Sequence, residues 1–197
     1  MQKNIDIKTI EKAIKADSIL FFDMDGTLVD TNLANFLAYS KAIQKVTNTD
    51  KGLRYEPNIR FNRSTLKSVF HNLSSIEYDR IIQEKELLYD DLLYETTLNN
   101  LISQILFKYS KINKTVLVTN CRTERANATL KFHNLSDKFD HIFYRQFSEN
   151  EEKINKYQFA VSSLEIAPKN IIVFENEDPE IEDAMFAGIP NTNIFKT

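Results

Sequence analysis

Five short runs of strand length alternate with stretches of helical spacing along this chain. Ile19-Leu20-Phe21-Phe22, Thr115 to Thr119 and Ile171-Ile172-Val173-Phe174 are apolar at nearly every position, as strands buried on both faces are. His141 to Tyr144 and residues 192–195 are shorter candidates of the same kind. Between them, apolar residues recur every three or four positions. Ile7, Ile10 and Ile14 mark a helix over 5–16, and Leu33, Phe36, Leu37, Ile43 and Val46 another, with Thr31 as its N-cap. Further helices are predicted at about 97–109, from Thr123 as cap to about His133, and from Lys153 to Ile166 with Tyr157, Ala160, Val161 and Leu164 inward. A last one near 179–187 ends at Gly188. Strands interleaved with helices in this way predict an α/β fold built on a doubly wound parallel sheet.

One segment interrupts the alternation. Gly52 to Pro57 breaks the helical pattern, and 62–95 reads as mostly helical and polar, so 31–95 holds no run resembling a buried strand. It lies between the first and second strands. The expected organisation is therefore an α/β core of residues 1–30 and 96–197 with an inserted α-helical lobe, 31–95.

Composition narrows the functional classes. At 197 residues and 42% hydrophobic, the chain can bury a sizeable core, and its formal net charge of −3 leaves no basic footprint for nucleic acid. No apolar run approaches the roughly 18 residues a membrane-spanning helix needs, and Met1 to Asp6 lacks the apolar centre of a secretory signal. A single cysteine, Cys121, excludes an intramolecular disulfide framework. A soluble cytoplasmic protein, monomer or dimer, is expected. The only three glycines, Gly26, Gly52 and Gly188, cannot form a dinucleotide-binding turn or a P-loop.

The chemistry gathers at predicted strand ends. Asp23-Met24-Asp25-Gly26-Thr27 follows the first strand, at the carboxyl edge where parallel sheets bind ligands. Two carboxylates this close to a buried run repel each other, and a hard divalent cation would relieve that repulsion. The blander alternative is a pair of turn-forming aspartates. Thr119-Asn120, a lysine at 153–156 and Glu175-Asn176 end or follow later elements.

This set of four, in this order, resembles the haloacid dehalogenase-like (HAD) hydrolase superfamily, specifically its capped phosphatases and its beta-phosphoglucomutase-like branch. The resemblance implies that Asp23 is the nucleophile and Asp25 the general acid and base. An acidic residue at Asp25 favours phosphoryl transfer over carbon–halogen cleavage. Thr119 would hydrogen-bond a phosphoryl oxygen, helped by the amide of Asn120. The phosphate-binding lysine has two candidates, and the family's interval back from Glu175 favours Lys153 over Lys156. Mg2+ would be held by the Asp23 side chain, the Asp25 main-chain carbonyl, Glu175 and Asn176. Asn176 stands where relatives carry Asp, a shortfall that Glu177 or Asp178 could make up; otherwise only Glu175 of the acidic run 175–183 faces inward. Cys121 is expected to be structural, and Arg122 either a substrate contact or a solvated helix start.

The reading that follows is a magnesium-dependent phosphohydrolase acting on a small phosphorylated metabolite through an aspartyl-phosphate intermediate. A phosphomutase of the beta-phosphoglucomutase type is the alternative, with a catalytically impaired ligand-binding member behind it. Specificity is expected from the helical lobe, where Arg54, Arg60, Arg63 and Lys67 are possible anion contacts.

Overall fold

Alternate residues of the central strands enter two different cores. The computed structural model, which describes residues 6–49, 52–57, 59–147 and 154–197, divides the chain into one unit of Met1–Val29 with Leu98–Thr197 and another of Asp30–Thr97.

In the first unit α1 (Ile7–Ala13) precedes β1 (Ile19–Phe22), and a short strand β2 (Val29–Asp30) closes its N-terminal part. After the second unit the chain resumes with β3 (Thr97–Leu98), α5 (Asn100–Tyr109), β4 (Thr115–Val118), α6 (Thr123–Phe132) and β5 (His141–Phe143). It continues through α7 (Lys156–Leu164), β6 (Ile171–Glu175), α8 (Asp178–Phe186) and β7 (Ile194–Lys196). Five strands form one parallel sheet in the order β5-β4-β1-β6-β7, with Leu20 opposite Thr115 on one side and Ile172 on the other. This is the doubly wound parallel architecture that the alternation predicts.

The side-chain period of two sorts the strand residues. Leu20 and Phe22, Leu117, Ile172 and Phe174 pack on one face with Leu106, Ile105 and Leu130 of the flanking helices. Phe21, Val116, Val118, Ile171 and Val173 pack on the other with Tyr157, Ala160 and Ala184. On the first face the Phe22 and Phe174 rings stack at 4.8 Å between centroids. Both faces being covered explains why these strands read as continuous apolar runs rather than alternating ones. β1 sits at the centre, where the strand order switches direction, so its carboxyl end opens onto the crevice such sheets use for ligands.

Caps set several element ends differently from the sequence expectation. α1 is shorter than the predicted 5–16, starting after Asp6, whose carboxylate accepts from the Thr9 amide. α6 has Arg122 at its cap position, with Thr123 already inside the helix. α7 starts at Lys156 because Asn155 accepts from the amides of Tyr157 and Gln158; the predicted start at Lys153 lies outside the described residues. Gly188, at φ +86°, ends α8 as expected, its amide donating back to the Met185 carbonyl.

The second unit contains α2 (Asn32–Thr47), α3 (Arg63–Val69) and α4 (Ser75–Tyr89), followed by a 3-10 turn over Asp90–Glu95. Its own core joins Phe36, Tyr39 and Ile43 of α2 to Phe61, Leu66, Phe70, Ile81 and Ile82. Thr31 holds the cap position of α2 without a capping bond; the Asp30 carboxylate accepts from the Asn32 amide instead. A reciprocal capping box of Ser74 and Glu77 starts α4. Among the described residues, no helix is long and apolar enough to cross a membrane.

Candidate active site

Four ion-forming side chains meet within ion-pairing distance near the carboxyl ends of β1 and β6. Asp23 follows β1 directly, and its amide donates to the Phe174 carbonyl, extending the sheet by one residue. Its Oδ1 accepts from Lys156 Nζ at 2.7 Å, while Oδ2 has no hydrogen-bond partner among the described residues. The same ammonium donates to Glu175 Oε2 at 2.8 Å and lies 3.6 Å from Glu180 Oε2. All four residues are buried.

The charges account for the perturbed acidities. Burial, then Glu175, push the Asp23 carboxyl up to about 7, against the opposing pull of Lys156. Burial alone would lower the Lys156 pKa, but Asp23, Glu175 and Glu180 outweigh it and hold the ammonium above the ordinary lysine range. Burial and Glu175 likewise raise the Tyr157 hydroxyl well above its usual value.

Lys156 is thus the lysine brought to Asp23. The family interval favours Lys153, which lies outside the described residues. What the interval misses is the Asn155 cap: it starts α7 so that its first residue points at the strand ends.

Asp25 sits one turn beyond, buried, and its Oδ2 accepts from Arg125 Nη2 at 2.5 Å. Arg125 belongs to the first turns of α6 and has no place among the sequence candidates. Its signal was the helical step of four from Cys121, whose Sγ accepts from Arg125 Nε at 2.8 Å. Arg122, the candidate considered instead, is exposed. Cys121 is buried, in keeping with a packing role.

Thr119 is buried at the end of β4; its Oγ1 accepts from the Cys121 amide at 3.0 Å, and its hydroxyl hydrogen has no acceptor among the described residues. Asn120 turns its side chain to Glu180, donating to Oε2 at 2.9 Å and leaving its own buried Oδ1 unbonded.

Glu175, expected among the metal ligands, has its oxygens engaged elsewhere in this arrangement. Both oxygens of Glu175 are saturated: Oε2 accepts from Lys156 and from the Tyr157 hydroxyl at 2.7 Å, Oε1 from the amides of Asn176 and Glu177 at 2.8 and 3.1 Å. A carboxylate offers about four acceptor positions, so none remains for a cation in this arrangement. Glu175 instead anchors the lysine and the loop after β6. Among the described residues, no group of three or more His, Cys, Asp or Glu is arranged to hold a metal ion. Asp178 is exposed and pairs with Lys196 at 2.6 Å, and the acid of the run that joins Glu175 inside is Glu180.

What remains is a seat of mostly neutral oxygens. Asn176 Oδ1 accepts from the Thr27 hydroxyl at 3.0 Å, and its side chain lies against Gly26, where a Cβ would stand 2.6 Å from Asn176 Nδ2. Gly26, at φ +90°, lets the loop after β1 pass this close. Asp23 Oδ2, the Asp25 main-chain carbonyl and Asn176 Oδ1 are hard oxygen donors of the kind Mg2+ takes through one or two carboxylates, with water completing the shell. Asp23, Asp25, Glu175 and Glu180 set four carboxylates against Lys156 and Arg125, an excess of two negative charges when all are ionised. The donor set fits a divalent cation.

The chain resembles known proteins over most of its length. A chain from Thermotoga maritima described as a phosphorylated carbohydrates phosphatase is 26% identical, covering 86% of this chain and 81% of its own length. A predicted phosphoglycolate phosphatase from Haemophilus somnus superposes with a TM-score of 0.71 at 17% identity, covering 92% of this chain and 85% of its own. A haloacid dehalogenase-like hydrolase from Streptococcus pneumoniae superposes with a TM-score of 0.66 at 21% identity, covering 90% and 83%. The family model described as haloacid dehalogenase-like hydrolase matches residues 20–194, from the first strand of the sheet to its last, and the chain belongs to that family.

Proposed function

We propose that this hydrolase is a magnesium-dependent phosphatase of small phosphorylated carbohydrates, working through a phosphorylated Asp23. One observation carries the reading: a buried carboxylate, Asp23, keeps one oxygen unbonded while a lysine restrains the other, with a second carboxylate two residues on. The match to the Thermotoga phosphatase supports the substrate class.

In this reading Asp23 Oδ2 attacks phosphorus. The bond from that oxygen to phosphorus forms as the ester oxygen leaves, taking a proton from the Asp25 carboxyl. Water then attacks the phosphorus of the phosphorylated Asp23; its bond to phosphorus forms as the bond from phosphorus to Asp23 Oδ2 breaks, its proton passes to the Asp25 carboxylate, and inorganic phosphate and the free Asp23 carboxylate are released. Such proton transfers are typically worth about 10²–10⁴-fold in rate. Lys156 holds Asp23 in place and opposes the charge of the incoming phosphoryl group. The Thr119 hydroxyl donates to a phosphoryl oxygen near the N-terminus of α6. Mg2+ held by Asp23, the Asp25 carbonyl and Asn176 would neutralise charge on the phosphoryl oxygens, the main demand of phosphoryl transfer.

The test is turnover of p-nitrophenyl phosphate with magnesium, for the wild type and Asp23→Asn, followed by a panel of sugar phosphates. Magnesium-dependent phosphate release abolished by Asp23→Asn is expected. Undiminished release from the variant overturns the assignment of the nucleophile.

A further inference from the structure

The arginine that reaches Asp25 has no counterpart in the motifs above, and its anchorage gives it a task. Arg125 is gripped along two edges of its guanidinium. Nε donates to the buried Cys121 Sγ at 2.8 Å, and Nη2 donates to Asp25 Oδ2 at 2.5 Å. Its main-chain carbonyl accepts from the Thr129 hydroxyl at 2.9 Å. A guanidinium is planar, with its donors in fixed directions. Held at two edges it cannot turn, so the first turns of α6 fix where the Asp25 carboxyl stands. The pair is nearly sealed, with side-chain exposures of 13% for Arg125 and 5% for Asp25, so water screens it little.

A carboxyl that passes a proton to a leaving oxygen must stand in line with it before the bond breaks, and misplacement by about 1 Å can cost on the order of 10²-fold. We infer that Arg125 is a positioning residue for the proton transfer: clamped by Cys121, it holds the Asp25 carboxyl in the orientation that leaving-group protonation requires. The inference rests on the phosphatase reading and deepens it. It also separates Arg125 from an arginine that binds the phosphoryl group itself, whose loss would weaken every phosphate ester alike.

Leaving groups that need a proton tell the two apart. Glycerol 1-phosphate expels an alkoxide and depends on the acid; 2,4-dinitrophenyl phosphate expels a stable phenolate and does not. Both esters are assayed with magnesium for wild type, Arg125→Met, Arg125→Lys, Asp25→Ala and the double variant Asp25→Ala with Arg125→Met. Asp25 also takes the proton from water in the step both esters share, so the comparison is made on kcat/KM, which reads only the steps up to departure of the leaving group. Given the usual size of general acid catalysis, Arg125→Met should lower kcat/KM on glycerol 1-phosphate by about 30-fold or more and on the dinitrophenyl ester by less than about threefold. Arg125→Lys should recover part of the alkyl-ester loss. If Arg125 acts only through Asp25, adding Arg125→Met to Asp25→Ala has no further effect.

The ratio of the two losses within one preparation does not depend on the folded fraction, so partial misfolding leaves it readable, and Arg125→Lys supplies a milder second variant. Equal losses on both esters, or losses that multiply in the double variant, overturn the positioning role while leaving the phosphatase reading intact. A wild-type protein that cleaves neither ester overturns both.

Discussion

Replacing Lys156 with Met removes the one ammonium shared by three buried carboxylates. Its contacts are 2.7 Å to Asp23, 2.8 Å to Glu175 and 3.6 Å to Glu180, and the side chains of all four residues are at most 10% exposed. Met fills much of the volume, so the cost is electrostatic rather than a cavity. Breaking a buried pair by removing one partner typically costs about 3–5 kcal/mol, because the charge left behind is uncompensated. For a chain of this size about 1 kcal/mol moves the melting midpoint by roughly 2–4 °C, so metal-free Lys156→Met should melt roughly 6–20 °C below wild type at pH 8. Differential scanning calorimetry in chelator reads this directly. Two companions sharpen it. Adding Glu175→Gln should recover part of the loss by removing one stranded charge. Lys153→Met tests the other candidate lysine and should leave the midpoint close to that of wild type if Lys156 is the anchoring charge. A Lys156→Met midpoint equal to wild type, or a Lys153→Met midpoint as low as that expected for Lys156→Met, would refute the assignment of the anchoring charge.

Three further outcomes follow from the same cluster. The Asp23 carboxyl is raised to about 7 by burial and Glu175, above its ordinary 3.8, so the folded state keeps the proton that the unfolded chain releases. Metal-free wild type therefore loses stability as pH climbs from about 4 through 7; Asp23→Asn should flatten that slope in urea titrations, and an unchanged slope contradicts it. Asn176→Asp can still accept from Thr27 and adds a full negative charge to the metal seat, so calorimetric titration should find magnesium bound at least about tenfold more tightly, and unchanged affinity would remove Asn176 from that seat. Gly26→Ala would place a Cβ 2.6 Å from Asn176 Nδ2 at φ +90°, so urea unfolding should show a loss on the order of 1–3 kcal/mol, together with weaker magnesium binding; wild-type values for both refute the close-approach role.

The sheet was legible because burial on both faces leaves continuous apolar runs of strand length, too short for a buried helix. The runs at 115–118 and 171–175 are buried throughout, and 19–22 at every position but the half-buried Ile19. The Asp23/Asp25 pair was legible for a related reason, since two carboxylates have no business after such a run unless chemistry needs them. What stayed hidden depends on helix rotation, which spacing by itself leaves open. Glu180 looks like any solvated acid in 175–183, yet the first turn of its helix carries it to Lys156 and Asn120. Lys156 outranks Lys153 only once the Asn155 cap fixes where α7 begins. Arg125 has no motif around it, and its value comes from contacts 100 residues away in sequence. Sequence shows that Glu175 supplies a carboxylate, but not the four donors its oxygens accept from.

The central claim is that Asp23 takes up the phosphoryl group, and chemical trapping reads it most directly. Enzyme turning over p-nitrophenyl phosphate with magnesium is quenched with borohydride, which reduces an acyl phosphate to an alcohol, and the digested peptides are sequenced by mass spectrometry. The account predicts homoserine at position 23, dependent on substrate. Homoserine at another aspartate, or active enzyme whose residue 23 stays unmodified under turnover, would contradict it.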